Sequence, residues 1–283
     1  MDGDDWGSPS PASTPAPLGR YFLGVFVTIF AILSQYFVPE WFPGTDLLYG
    51  NLPGDVFIVY GVPVVAFALL VGRGPLRDWG HRMGLATWHG LRFYGLLTLL
   101  GLLVVLVLTV VYEVIDPGAL QLLNRPNPAL EQAKGNPWFF VGFSFVVGAF
   151  EETIFRGFIF GYWRDRPGPW MVPAVWTSVV FAGVHLYYGT TYGAAAPLIF
   201  PSLFLLGFAF AATYRFSRGN LVVPAALHGA HDAASFLTLI SEEWGLICLY
   251  SVVLVGALIG LIHYLRPGPD DRSPTSPVPP AAR

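Results

Sequence analysis

The chain has 283 residues, of which 54% are hydrophobic and only 12% are charged, with a formal net charge of −3. Ordinary soluble domains carry about 25% charged residues, so this composition excludes that class and indicates an integral membrane protein. A single cysteine, Cys248, excludes an intrachain disulfide framework and a thiolate metal cluster. We find no nucleotide-binding loop and no basic patch, so no nucleic-acid partner is expected.

Eight apolar segments are long enough to cross a bilayer. A spanning helix needs about 20 mostly apolar residues. The alternating pattern of a membrane β-barrel is missing from the sequence. In chain order the segments are 21–39, 56–72, 93–113, 138–162, 170–188, 194–214, 221–240 and 245–265. The sequence therefore predicts an all-α, multi-pass membrane fold.

The charges between these segments predict their orientation, because cytoplasmic loops collect Lys and Arg. With the N-terminus inside, only Arg125 and Lys134 fall on the outer side, while Arg156 lies inside a span. We therefore predict that both termini are cytoplasmic, and we expect the protein in a prokaryotic cell membrane. The tails 1–17 and 268–283 are predicted to be disordered, which leaves a single membrane domain over 18–267.

The fourth segment carries Glu151, Glu152 and Arg156. An ionised side chain at mid-bilayer costs roughly 2.5 to 3.5 kcal/mol on insertion scales, so such residues usually belong to a site or pathway. Glu152 and Arg156 are four residues apart, a spacing that favours an ion pair. Glu151 is rotated by about 100° around the helix and is available for another task. We interpret Glu152 and Arg156 as a structural pair and Glu151 as functional.

Two later segments add imidazoles and a further carboxylate. Phe181 and His185 lie one turn apart in the fifth segment, and His228 and Asp232 share a face of the seventh, with His231 beside them. A carboxylate and imidazoles on separate helices can activate water, bind a metal or relay protons. No HExxH motif occurs, so spacing alone does not establish a metal site.

These groups lie at different depths by residue count. Glu151 is near mid-membrane, His228 is closer to the cytoplasm and His185 is closer to the outside. Strong tilt or a broken helix must bring them together. Small residues near the motifs permit close helix approach, namely Gly148, Ala149, Ala182, Gly183 and Gly229.

Three short sequences resemble the motifs of a known family. EETIFR at 151–156, FAGVH at 181–185 and HGAHD at 228–232 are similar to those of the CAAX protease and bacteriocin-processing (Abi) family of intramembrane proteases, which includes type II CAAX prenyl endopeptidases. The similarity covers roughly 138–240. It implies a site between the fourth, fifth and seventh predicted helices.

The resemblance also implies roles for individual residues. Glu151 and His185 would activate water, while His228 and Asp232 would line the position of the oxyanion. An ionised Asp232 only accepts hydrogen bonds, so it must be protonated, orient His228 or bind metal. The supporting residues would be Glu152, Arg156, Phe181 and His231.

The expected activity is hydrolysis of a peptide bond in a membrane-associated or lipid-modified peptide, with membrane lipid as the other partner. No cofactor is expected. Zinc remains an alternative, with Glu151, His185 and His228 as ligands and an open fourth position for water. The competing functions are a proton-coupled transporter, and a non-catalytic adaptor or immunity protein on the same fold.

Overall fold

A computed structural model describes residues 16–41, 56–72, 133–163, 168–187, 196–217 and 219–241, together with single residues and short runs between 54 and 247. Its main helices are α1 Leu18–Trp41, α2 Phe57–Leu70, α3 Pro137–Trp163, α4 Met171–Val184, α5 Ala196–Phe216 and α6 Val222–Leu237. No strand occurs among the described residues. The predicted all-α class is confirmed.

Each of these helices coincides with one predicted span. Within α1, α3 and α5, the segments Leu18–Val38, Pro137–Trp163 and Ile199–Phe216 are long and apolar enough to cross a membrane, whereas α2 and α4 are apolar but shorter. The predicted span 93–113 is described only in short helical runs. Most of 245–265 and of the predicted tails lies outside the described residues, so the count of eight spans stays a prediction.

The helix α3 changes its geometry at the charged motif. It begins after Asn136, whose side chain caps the first turn, and it is α-helical as far as Glu152. From Thr153 to Phe160 it is a π-helix whose residues are all buried, and it ends in a 3₁₀ turn at Gly161–Trp163. Wider π turns occur frequently at functional sites. The two glutamates therefore lie where the helix leaves its regular geometry.

Hydroxyl groups of two neighbouring helices bind the π-helical segment of α3. Thr177 of α4 donates a hydrogen bond to the carbonyl oxygen of Phe155 at 2.9 Å. Tyr21 of α1 donates one to the carbonyl oxygen of Ile159 at 3.3 Å. These bonds satisfy backbone acceptors in a region where an unpaired polar group is costly. They also connect α1 and α4 to the helix that carries the glutamates.

The helices α3 and α6 approach each other closely at two glycines. A Cβ atom added to Gly229 would lie 2.6 Å from Cδ1 and 2.7 Å from Cα of Phe145. One added to Gly148 would lie 2.8 Å from the backbone nitrogen of Gly229. The expectation of close approach is confirmed at these two positions. It is wrong at Gly183, where an added Cβ would meet nothing within 4 Å.

Candidate active site

The candidate site contains a fully buried ion pair between Arg156 and Glu152. Arg156 Nη1 donates to Glu152 Oε1 at 2.8 Å, and Arg156 Nη2 donates to the carbonyl oxygen of Gly207 at 2.7 Å. The guanidinium carbon lies 4.8 Å from the ring centre of Phe181 and 5.2 Å from that of Phe210. The pair that the spacing predicts is therefore present, and it is enclosed by aromatic rings that favour a cation.

His228 of α6 connects this pair to the other acidic groups. Its Nδ1 donates to Glu152 Oε1 at 2.8 Å, because a carboxylate oxygen accepts. Its Nε2 lies 3.7 Å from Glu151 Oε2 and 3.6 Å from Asp232 Oδ2. The ring stacks on Phe210 with a centroid distance of 4.9 Å. One buried imidazole is thus surrounded by three carboxylates from two helices.

Glu151 contacts two helices besides its own. Its Oε1 accepts a hydrogen bond from the Tyr60 hydroxyl of α2 at 3.3 Å. Its Oε2, the oxygen nearer to His228, is buried and has no hydrogen-bond partner among the described residues. The residue is only 8% exposed, so an unpaired acceptor there requires an explanation. A water molecule or a substrate group is the simplest partner for this oxygen.

Sequence reasoning missed Tyr60. It lies 91 residues before Glu151, in an apolar segment without any motif. Its spacing from the acidic residues carries no information, because the two side chains meet only through the packing of separate helices.

His185 lies at the end of α4, and the ring of Phe181 lies between it and His228. Its Nδ1 donates to the carbonyl oxygen of Phe181 at 2.7 Å, because a carbonyl oxygen only accepts. The Phe181 ring centre lies 4.8 Å from that of His185 and 5.8 Å from that of His228. Phe181 therefore contacts both imidazoles that the motifs single out.

The remaining predicted residues lie on α6. The side chain of Asp232 is 32% exposed, more than those of Glu151 and His228, so the cluster is most exposed at this carboxylate. His231 is half-buried, and no hydrogen bond or ion pair among the described residues joins it to the cluster. The structure thus brings Glu151, His228 and Asp232 together and leaves His231 beside them.

The zinc alternative requires three side chains that converge on one point. In the described part of the chain, no three His, Cys, Asp or Glu residues are arranged so that they could hold a metal ion. As placed here, Glu151, His185 and His228 do not fit a three-ligand centre.

One comparison with known proteins agrees with the motifs, and two found no match. No curated protein and no solved structure shows a significant match to the chain. Residues 133–234 match a family model described as "Type II CAAX prenyl endopeptidase Rce1-like". This range contains all three motifs, whereas α1 and α2 lie outside it. Over residues 133–234, the predicted resemblance to the CAAX-type intramembrane proteases is confirmed.

Proposed function

We propose that this protein is an intramembrane endopeptidase, which hydrolyses a peptide bond in a membrane-associated or lipid-modified peptide. One observation carries the proposal: the buried ring of His228 is hydrogen-bonded to Glu152 and faces the carboxylates of Glu151 and Asp232. Buried ionisable groups in membrane helices are expensive and usually functional. The cluster lies inside the segment that matches the Rce1-like family model.

Glu151 is the proposed general base. A water oxygen can lie within hydrogen-bond distance of both Glu151 Oε2 and His228 Nε2, because these atoms are 3.7 Å apart. Oε2 takes one proton of the water, and the resulting hydroxide oxygen attacks the carbonyl carbon of the scissile bond. When the carbon–nitrogen bond breaks, the proton held by Glu151 passes to the leaving amine. The family resemblance assigns His185 to the same step, as a second group that accepts a proton from the water.

His228 is the proposed donor to the oxyanion. In its doubly protonated form it donates from Nδ1 to Glu152 and from Nε2 to the oxygen that becomes negative during attack. Asp232 orients this ring, since its Oδ2 lies 3.6 Å from Nε2. An acceptor in that place suits an orienting role better than direct donation to the oxyanion.

The test is hydrolysis of a fluorogenic peptide with a C-terminal CAAX sequence, prenylated or unmodified, by purified protein in lipid vesicles. We expect Glu151→Gln to lower the rate about 10²- to 10⁴-fold, the usual range for the loss of a general base. The matched control is Glu113→Gln, because Glu113 is an exposed carboxylate. We expect this control to retain the wild-type rate.

The same preparation separates the competing functions. Wild-type protein that cleaves no peptide but takes up solute when a proton gradient is imposed would identify a transporter. If wild type and Glu151→Gln bind a partner equally well and neither hydrolyses it, the protein would be identified as an adaptor. Retention of the wild-type rate in a strong zinc chelator would contradict the zinc alternative.

A further inference from the structure

A tyrosine outside the family-matched segment contacts the proposed base. We propose that Tyr60 is a positioning residue, which holds the carboxylate of Glu151 so that Oε2 is presented to water; this inference rests on the proposed function. The hydroxyl of Tyr60 donates to Oε1 of Glu151 at 3.3 Å. Through this hydrogen bond α2 reaches the acidic cluster, which is formed by Glu151, Glu152 and Asp232.

The two oxygens of Glu151 have different surroundings. Oε1 accepts the Tyr60 hydroxyl, while Oε2 lies 3.7 Å from His228 Nε2 and has no hydrogen-bond partner among the described residues. A carboxylate on a flexible side chain can exchange its oxygens by rotation about its last bond. A donor on one oxygen stops that exchange and leaves the other directed at His228.

The position of the Tyr60 ring is itself fixed by a contact with α3. Its ring stacks on Phe150, the residue before Glu151, with centroids 5.8 Å apart and planes inclined by 19°. Ring and hydroxyl therefore contact neighbouring residues of α3. Tyr60 also lies in the π-helical turn Phe57–Gly61, and π turns within α-helices occur frequently at functional sites.

The remainder of α2 is anchored against the neighbouring helices. Phe67 is fully buried and stacks on Phe158 of the π-helical segment, with centroids 5.2 Å apart. A Cβ atom on Gly24 of α1 would lie 2.6 Å from the Phe67 ring, so α1 and α2 are in close contact. The position of Tyr60 is thus determined by packing around the same segment that carries the catalytic motif.

The 3.3 Å separation is longer than the roughly 2.7–2.8 Å that is usual between two oxygens. Hydrogen bonds to catalytic groups are often long before substrate binds and shorten in the reacting complex. The contribution of Tyr60 is therefore expected in the rate of the chemical step rather than in the binding of substrate.

The experiment compares kcat and KM of wild type and Tyr60→Phe on the CAAX peptide. We expect kcat to fall about tenfold or more, as for the loss of a hydrogen bond to a charged group, with KM within about twofold. p-Aminophenylalanine in place of Tyr60 keeps a donor at this point and should restore most of the rate. A residue with a purely structural role would show neither the split between kcat and KM nor the rescue.

The matched control is Tyr162→Phe. Its hydroxyl donates to the carbonyl oxygen of Ala16 at 2.7 Å, away from the acidic cluster, so we expect kcat to stay unchanged. A kcat of Tyr60→Phe within about twofold of wild type would overturn the inference, as would a rise in KM alone. Failure of Tyr60→Phe to fold would overturn it too, because the hydroxyl would then be structural.

These outcomes separate the two proposals. A wild-type protein without peptidase activity refutes the proposed function, and the inference about Tyr60 falls with it. An active wild type with an equally active Tyr60→Phe variant refutes the role of Tyr60 alone.

Discussion

One oxygen atom, Oε1 of Glu152, links the side chains of Arg156 and His228. It accepts from Arg156 Nη1 on its own helix and from His228 Nδ1 on α6, both at 2.8 Å. Glu152 Oε2 and Arg156 Nε have no hydrogen-bond partner among the described residues, so the cluster is not fully satisfied. A buried ion pair of this kind adds little net stability, but breaking it is costly. Its main effect here is to fix the position of His228.

Replacing Arg156 with methionine tests this reasoning at the residue scale. Arg156→Met leaves Glu152 buried without its cation, so we expect a loss of about 3–5 kcal/mol in the free energy of unfolding. Tryptophan fluorescence during denaturation in detergent measures it. Arg20→Met is the matched control because Arg20 is exposed on α1, and its stability should hardly change. Equal stability of the two variants would contradict a paired Arg156.

At the scale of elements, the contact between α3 and α6 brings His228 to the glutamates. The helices touch where Gly148 faces Gly229 and where Gly229 faces the backbone of Phe145. Without these glycines the backbones would lie further apart, and the 2.8 Å contact between Glu152 and His228 would lengthen. The helix α3 continues without a break past the glutamates, and it changes from α- to π-helical geometry directly after Glu152.

Gly229→Ala tests the importance of this helix contact. Its Cβ would lie 2.7 Å from the Cα of Phe145, an atom that moves only with the helix. We therefore expect a loss of about 1–3 kcal/mol in stability, as for other overpacked positions, and a lower rate of hydrolysis.

Gly142→Ala is the control for this variant on the same helix, because an added Cβ there meets nothing within 4 Å. It should keep its activity and be as stable as wild type, or more stable by up to about 1 kcal/mol. Indistinguishable Gly142 and Gly229 variants would show that the close approach has no energetic consequence.

At the scale of the whole molecule, the candidate site has contacts from helices inside the family-matched range 133–234 and from helices that precede it. The matched range 133–234 contains Glu151, His185 and His228, but α2 supplies Tyr60 and α1 supplies Tyr21, which bonds to the backbone of α3. We therefore expect the family-matched segment to need the preceding helices for an ordered site.

The predicted orientation is a second property of the whole chain. In a Cys248→Ser background, the variants Ser8→Cys and Ser276→Cys place one thiol in each tail. An even number of spans with both termini cytoplasmic predicts that an impermeant maleimide labels both thiols in inside-out vesicles and neither in intact cells. Labelling of the two tails from opposite sides would show that the number of spans is odd.

The sequence by itself determined the class of the fold and the local pair. Long apolar segments must be helical in lipid, because each backbone group has to be hydrogen-bonded within its own segment. The spacing of Glu152 and Arg156 predicts their ion pair, since positions four apart share one face of a helix. The first conclusion depends on the length and apolar composition of the segments, and the second depends on spacing along the chain.

Only the tertiary structure decided which groups meet across helices. The family resemblance pairs Glu151 with His185, whereas the described residues show His228 hydrogen-bonded to Glu152 at 2.8 Å. Nothing in the sequence singles out Tyr60 as a partner of Glu151. Contacts of this kind depend on how closely and in what register helices pack, which is set here by small residues such as Gly229 and by the π-helical segment, so periodicity cannot predict them.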